Sequence, residues 1–259
     1  MVIYQFDGTM AGLLSCVFRA FQFCEFDTRI TTGIDHQSYL FDEMIVVQSN
    51  DIHAQRVWQG LKKRLTPQGI KKFYYCFLSE KLEAFQHLFN YALAVFQSKY
   101  SIESNYLDQN VLAVAQWAKQ VGREKHRMEA FVRFKKCKDS LFLSLIHPDF
   151  NVLPLIERHF KARYQDQKWL IYDEKRKFGI YYDLKQVYTV DMSHEQIDLN
   201  LASGHSQHFS IELDDDELLY DQLWKDYFKS VNITARANLK LHVQYVPQRY
   251  WRYLNEKQI

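Results

Sequence analysis

The feature that most constrains the fold is a change of hydrophobic period near the middle of the chain, between Gly122 and Cys137. Before this segment, apolar residues recur at spacings of three and four, which predicts a long helix. Within it, Ala130 to Phe134 is short and rich in residues that favour a β-strand. A helical pattern on one side and a strand pattern on the other predict an α+β protein.

We expect a helical N-terminal portion followed by a small antiparallel sheet built from a β-β-α-β-β unit. The first region covers residues 1–127 and the second, which also carries C-terminal helices, covers residues 128–259; together they are expected to form one compact unit. The helix of the unit is predicted between Asn151 and Tyr164. Its strands are predicted at Ala130–Cys137, Leu141–Ile146, Trp169–Tyr172 and Phe178–Tyr182.

The chain opens with a predicted strand at Val2–Phe6, a turn at Asp7, Gly8 and Thr9, and a helix. A second strand is predicted at 43–48, and no clear period appears between residues 23 and 40. Helices are predicted over 51–65 and from 70 to 127, with an interruption near 98–104. Asp7 with Gly8 has the composition of a catalytic acid or an anion-binding turn, but capping of the helix N-terminus by Asp or Thr explains the same residues.

Cations and aromatic residues are concentrated between residues 119 and 139, where eight Lys or Arg residues face three acidic ones, although the whole chain carries a net charge of only +2. Guanidinium groups bind phosphate oxygens and aromatic rings stack on bases, so this density is typical of a nucleic-acid surface. The alternative is a solvated helix face followed by a Lys-rich edge strand. The helical pattern puts Arg123, His126 and Arg127 on one face, and the strand pattern puts Phe131, Arg133 and Lys135 on another.

A second basic and aromatic surface is predicted near the end of the chain, where Arg249, Trp251 and Arg252 occur close together. In the nucleic-acid interpretation, the cations contact phosphates and Phe131 or Trp251 stacks on a displaced base. Because 33 basic residues are balanced by 31 acidic ones, binding of a polyanion has to depend on such local patches and not on global charge.

Composition excludes several classes of site. The four cysteines have no C-x-x-C spacing, so neither a zinc ribbon nor an iron–sulfur cluster is predicted, and no cofactor is expected. Apolar runs are too short for a membrane span, and thiols without a disulfide pattern indicate the cytoplasm. The pair His205 and His208 is a weak metal signal without a third ligand, so no metal site is predicted. The acidic run 214–217 is explained by the start of a helix.

Few residues suggest catalysis. His126 lies among cations, which favour its neutral form, and Asp173 follows a predicted strand at a hairpin turn, where Asp is ordinary turn chemistry. Together with Asp7 they are the weak candidates for a general acid or base. No P-loop, nucleophile elbow or dinucleotide-binding motif occurs, so the sequence identifies no reaction.

Several sequence blocks resemble a bacterial family of DNA-metabolism proteins. They begin with Tyr4–Thr9 and the central segment Arg123–Phe134, and they continue in order through the chain. The family is similar to a domain fused behind uracil-DNA glycosylases, and its stand-alone members tend to be encoded beside a radical-SAM protein of DNA modification or repair. The remaining blocks are His147–Phe150, Phe160, Arg163, Trp169–Asp173, Leu223–Phe228 and Pro247–Arg252.

The resemblance implies a DNA setting and a radical-SAM partner. With the basic segment, it predicts a DNA-binding accessory protein in DNA repair or metabolism, for which single-stranded or damaged DNA is a hypothesis. One alternative is an enzyme acting on a modified or damaged nucleobase, with Asp7, His126 or Asp173 as the general acid or base. This alternative requires these residues to converge in one pocket. Another is an adaptor that docks the radical-SAM protein, for which the exposed patch should be apolar instead of cationic.

Overall fold

A computed structural model describes residues 2–33, 43–191, 213–214, 216–231 and 243–257. The chain divides into two compact units, Met1–Arg123 and Glu124–Ile259, each with its own sheet. None of the helices in the described ranges is long and apolar enough to cross a membrane.

The first unit contains a three-stranded parallel sheet in the order β2-β1-β3. Its strands are β1 (Val2–Gln5), β2 (Thr28–Thr31) and β3 (Glu43–Val46), and helix α1 (Met10–Phe23) connects the first two. Helix α1 brings the chain back to the end of the sheet at which β1 begins, so β2 starts there and runs parallel to β1. The sequence indicates β1 and β3, which contain apolar runs, whereas β2 has the same length but only one large apolar residue, Ile30.

Helices cover this sheet and supply most of the buried side chains. Helix α1 packs against α2 and α4, and its buried Leu13 lies in one apolar cluster with Leu61 and Leu88. The side chains of Asn50 and Thr66 cap α2 and α3 by accepting hydrogen bonds from backbone amides. The helices are α2 (Asp51–Arg64), α3 (Pro67–Phe77), α4 (Leu82–Gln97) and α5 (Gln109–Phe131), and α5 continues into the second unit.

The second unit contains a five-stranded mixed sheet in the order β4-β5-β6-β7-β8. Strands β5 and β6 are parallel because α6 connects them, whereas the other neighbours are antiparallel. The prediction of an antiparallel sheet is therefore wrong. The elements are β4 (Lys135–Lys136), β5 (Phe142–Ile146), α6 (Leu153–Arg163), β6 (Trp169–Asp173), β7 (Phe178–Tyr182), β8 (Val187–Asp191) and α7 (Glu217–Val231).

The predicted strand at Ala130–Cys137 is also wrong over most of its length. Helix α5 extends to Phe131, residues 132–134 connect it to the sheet, and β4 consists of only two residues. Met128, Glu129 and Ala130 are good helix formers and extend the helix past the point where the β-favouring residues begin. Phe131, Arg133 and Lys135 consequently belong to three different local structures.

Two 3₁₀ turns near the end of the chain, Gln248–Tyr253 and Asn255–Lys257, form what we call the C-terminal segment, residues 248–257. Tyr250 and Leu254 of this segment are buried. The ring of Tyr250 lies 5.6 Å from that of Phe131 at the end of α5. The C-terminal segment is therefore part of the packing of the second unit.

Candidate functional site

The cations predicted to bind nucleic acid lie beside carboxylates of the second unit, and Glu124 is the most buried of these at 1% exposure. Its Oε2 lies 3.5 Å from Nη1 of Arg127 and 3.5 Å from Nη2 of Arg249. Its Oε1 accepts hydrogen bonds from the hydroxyl of Tyr250 and, at 2.9 Å, from the backbone N–H of Asp149. Burial and the hydrogen bond to Glu124 raise the pKa of Tyr250, so this hydroxyl stays protonated and keeps donating.

Glu256 forms a similar ion pair with Arg133. Its Oε1 accepts from Nη2 of Arg133 at 2.9 Å, and its Oε2 accepts from the indole N–H of Trp224 at 2.9 Å. Burial would raise the pKa of Glu256, but the hydrogen bonds from Arg133 and Trp224 outweigh burial and lower it. The carboxylate is ionised at neutral pH and pairs with the guanidinium.

Glu174, in the turn between β6 and β7, forms an ion pair with Arg252. Nη2 of Arg252 lies 3.2 Å from Oε2 of Glu174, which also accepts a hydrogen bond from the hydroxyl of Tyr253. The guanidinium carbon of Arg252 lies 4.5 Å from the centre of the Tyr253 ring. Three carboxylates of the second unit thus share one pattern, in which each binds an arginine and an aromatic hydroxyl or indole N–H.

An open cavity of about 210 Å³ lies among these groups. Arg133, Lys135 and Arg252 all contribute to its wall, although they come from separate parts of the chain. Nζ of Lys135 lies 3.2 Å from Oδ2 of Asp221, so this third cation also has a carboxylate partner. The remaining wall residues are Leu143, Leu145, Glu174, Tyr253 and Asn255.

The other predicted contact residues are placed differently. Arg123 is exposed on α5 at the end of the first unit, and His126 is 87% exposed, with Nδ1 3.9 Å from Oε2 of Glu129. Phe131 packs against Tyr250, and the indole N–H of Trp251 donates to the carbonyl of Val246 at 2.9 Å. Phe131 and Trp251 are both half-buried.

Asp173 is completely buried at the end of β6. Its Oδ1 accepts from the backbone N–H groups of Lys175 and Arg176, and its Oδ2 lies 2.8 Å from Nη1 of Arg176. These contacts close the β6–β7 turn, which is the turn chemistry that the sequence offers as the alternative to catalysis.

Asp7 is exposed at the carboxyl end of β1. Its carboxylate accepts hydrogen bonds from Thr9 and Ser49, while Thr9 caps α1 by accepting from the backbone N–H of Gly12. Burial would raise the pKa of Asp7, but these hydrogen bonds outweigh burial and lower it. Asp7 is therefore an ionised group in an open position, whereas the capping role belongs to Thr9.

The remaining metal signals do not gain support. His205 and His208 lie outside the described residues, and within the described ranges no group of three or more His, Cys, Asp or Glu side chains could hold a metal ion. Glu217 is in the first turn of α7 and accepts from the backbone N–H of Lys136, while Asp214 forms an ion pair with Lys136 at 2.8 Å.

Sequence reasoning identifies the cations of this region but misses their acidic partners. The pairs Glu124 with Arg127 and His126 with Glu129 leave a local signal, since the members of each pair are three positions apart on α5. Glu174, Asp221 and Glu256 meet their cationic partners across 78, 86 and 123 positions, and no local pattern carries such information.

The comparisons identify the family but not its activity. Residues 82–256 match the family model described as a domain of unknown function, DUF4130. No curated protein and no solved structure matches the chain. Because the matched residues extend from α4 to the C-terminal segment and make up more than half of the sequence, the chain belongs to the DUF4130 family.

Proposed function

We propose that the protein binds single-stranded nucleic acid at the cavity lined by Arg133, Lys135 and Arg252. The observation that supports this function is the arrangement of these three cations around one opening with the ring of Tyr253 in its wall. Arginine groups with an aromatic ring are suited to a phosphate and its neighbouring base. At about 210 Å³ the cavity is smaller than the roughly 300–1,000 Å³ of most ligand pockets, so it suits part of a nucleotide.

The carboxylates beside these cations limit the affinity that we expect. A phosphate has to compete with Glu174 for Arg252 and with Asp221 for Lys135. Arg252 is 60% exposed, and a guanidinium has five N–H donors, so it can bind a phosphate while it keeps Glu174. We therefore expect binding that is modest and depends strongly on salt concentration.

Replacement of Arg252 by Ala tests this proposal. We expect weaker binding of a fluorescent single-stranded oligonucleotide and a salt dependence whose logarithmic slope falls by about 0.7, the value for one lost phosphate contact on a single strand. Fluorescence anisotropy at several salt concentrations measures both quantities. The fold should persist, since an exposed ion pair contributes only about 0–1 kcal/mol.

Arg158→Ala is the matched control, because Arg158 is an exposed arginine of α6 outside the cavity wall. Both variants lose one positive charge, so an effect of net charge alone would be the same in both. Equal salt slopes for Arg252→Ala and the unchanged protein would remove the cavity from the proposed interface and leave Arg252 as a structural partner of Glu174.

We place this binding in DNA repair or metabolism beside a radical-SAM protein, because of the family resemblance of the sequence blocks. The enzyme alternative, in which Asp7, His126 and Asp173 act on a nucleobase, has less support. Asp173 is buried in a turn, and His126 is exposed on a helix surface.

An adaptor role is favoured by a specific surface of α7. Leu219, Tyr220, Leu223 and Trp224 are large apolar residues with 40% to 57% exposure, and their spacing puts them on one side of the helix. Exposed apolar residues that form a contiguous patch commonly mark protein interfaces. In this proposal the radical-SAM protein docks on α7.

Leu223→Glu tests the adaptor proposal. We expect it to abolish co-purification of the co-expressed radical-SAM protein, because a carboxylate in the interface would be desolvated without a partner. Gln222→Glu adds the same charge on a different side of α7 and should leave co-purification unchanged. Retention of the partner by Leu223→Glu would show that α7 is not the docking surface.

A further inference from the structure

The first unit contains an open cavity of about 430 Å³ beside the exposed carboxylate of Asp7. Its volume is within the range of roughly 300–1,000 Å³ that is usual for small-molecule sites. Its wall comes from the residues that follow β1, β2 and β3, which are the carboxyl ends of all three parallel strands. The wall residues are Gln5, Phe6, Asp7, Thr32, Val46, Val47, Gln48 and Ser49.

The position of the cavity follows from the topology of the sheet. From β1 the chain passes through α1 to β2 on one side, and it later reaches β3 on the other side of β1. Because β1 and β3 are parallel neighbours, the residues that follow them, including Asp7 and Ser49, lie together at the carboxyl end of the sheet. Ligands of open parallel sheets bind at this end.

The local structure is built to hold Asp7 in this crevice. Gly8 adopts φ +78, a left-handed conformation that favours glycine, and turns the chain from β1 towards α1. A Cβ atom at Gly12 would lie 2.3 Å from Oδ1 of Asp7 and 2.9 Å from Oγ of Ser49. The absence of a side chain at Gly12 therefore lets Asp7 and Ser49 approach the first turn of the helix.

The hydrogen bonds of Asp7 leave it with capacity for a ligand. Oδ1 accepts from the backbone N–H and the hydroxyl of Thr9 at 2.9 Å and 2.7 Å, and Oδ2 accepts from the hydroxyl of Ser49 at 2.6 Å. A carboxylate has about four lone-pair sites, so Oδ2 can accept one further hydrogen bond. The ligand group that donates this further hydrogen bond to Oδ2 must carry an O–H or N–H.

The charge and polarity of the wall narrow the ligand class. The negative charge of Asp7 occupies the position near the N-terminus of α1 where a bound phosphate would otherwise be favoured, and it repels a second anion. Val46 is 66% exposed and adds an apolar side chain to the wall. These features match a molecule without negative charge that has a hydroxyl donor at one end and an apolar ring at the other.

We propose that this cavity binds a neutral, hydroxyl-bearing ring compound, with Asp7 as the acceptor for a ligand hydroxyl and Val46 in contact with the ring. The chemistry is that of a sugar or of a nucleoside. This site is independent of the nucleic-acid surface proposed above, since it uses different residues in the other unit.

The test uses the full chain, with adenosine as the probe and D-ribose as a second probe, in ligand-observed NMR titrations. Asp7→Asn preserves the shape of the side chain but removes the charge, and it should weaken adenosine binding about tenfold or more, as expected for a lost hydrogen bond to a charged group. Val46→Lys places a long side chain at the cavity and should abolish binding without altering Asp7. Tighter binding of adenosine than of ribose identifies the ring contact, whereas equal binding identifies the sugar alone.

Met44→Lys is the matched control for Val46→Lys. Met44 lies two positions away on the same face of β3, is also exposed, and does not contribute to the wall, so this variant should bind adenosine normally. Circular dichroism establishes that each variant is folded. The proposal is overturned if neither probe binds the unchanged protein at millimolar concentration, if Asp7→Asn and Val46→Lys both bind normally, or if inorganic phosphate displaces the probe.

Discussion

Replacement of Asp173 by Ala is expected to reduce the free energy of unfolding by about 4 kcal/mol, because it removes one partner of a buried ion pair. The carboxylate is completely buried, and the guanidinium of Arg176 that it binds is also nearly inaccessible to water. Without Asp173 this positive charge, which also donates to the backbone carbonyls of Pro148 and Asp149, would stay in the interior without its carboxylate partner. Urea unfolding followed by circular dichroism measures the change.

Two further variants separate the contributions of Asp173. Asp173→Asn keeps an acceptor for the backbone N–H groups of Lys175 and Arg176 but loses the negative charge, so its effect should be intermediate. Asp183 accepts from the amides of Lys185 and Gln186 in the next hairpin turn, where it is more exposed. Asp183→Ala should have a much smaller effect. Similar losses for the Ala variants of Asp173 and Asp183 would contradict the importance of burial.

Replacement of Glu124 by Ala is expected to lower the free energy of unfolding by about 3 kcal/mol. The buried carboxylate accepts from Tyr250 and from the backbone of Asp149, and it neutralises Arg127 and Arg249. The expected loss is at the lower end of the range for buried pairs, since both guanidinium groups are partly exposed and can reach water. Urea unfolding, monitored through the fluorescence of the tryptophans, measures it.

Glu124→Gln and Glu83→Ala are the controls for this experiment. Glu124→Gln keeps an acceptor for the hydroxyl of Tyr250 and should be less destabilising than Glu124→Ala. Glu83 is a largely exposed residue of α4, so Glu83→Ala should change stability little. A loss below about 1 kcal/mol for Glu124→Ala would mean that the network around Glu124 contributes no more than a surface ion pair does.

The sequence predicts those parts of the fold that depend on local pattern. Helices α1 and α2 have regular apolar spacing and clear caps, such as Asn50 for α2, and their positions follow from these signals, whereas the break between α3 and α4 at residues 78–81 is not predicted. Strand β2 has one large apolar residue among two threonines and an arginine, and β4 has only two residues, so neither gives a strand pattern. The parallel pairing of β5 with β6 depends on the crossover through α6, which is a property of the tertiary structure.

The sequence predicts the cations of the candidate site but not their acidic partners. Arg133 and Arg252 are visible as basic residues near aromatic ones, and the structure does bring them to one cavity with Lys135. Their partners Glu256 and Glu174 are distant in sequence or belong to a different element, so the charge of the surface is overestimated when the cations are counted alone. The cavity beside Asp7 could not be predicted from the sequence, because it depends on the strand order. β1 and β3 become neighbours only in the folded sheet.

The contacts of the C-terminal segment also have a kinetic consequence. The longest-range of these contacts join residues that are 78 to 126 positions apart, from Glu174 with Arg252 to Glu124 with Tyr250. We expect contacts of such sequence separation to form late in folding, so that they mainly retard unfolding. We therefore expect proteolysis of the second unit to be limited by its slow rate of opening. This rate is the rate at which the C-terminal segment detaches.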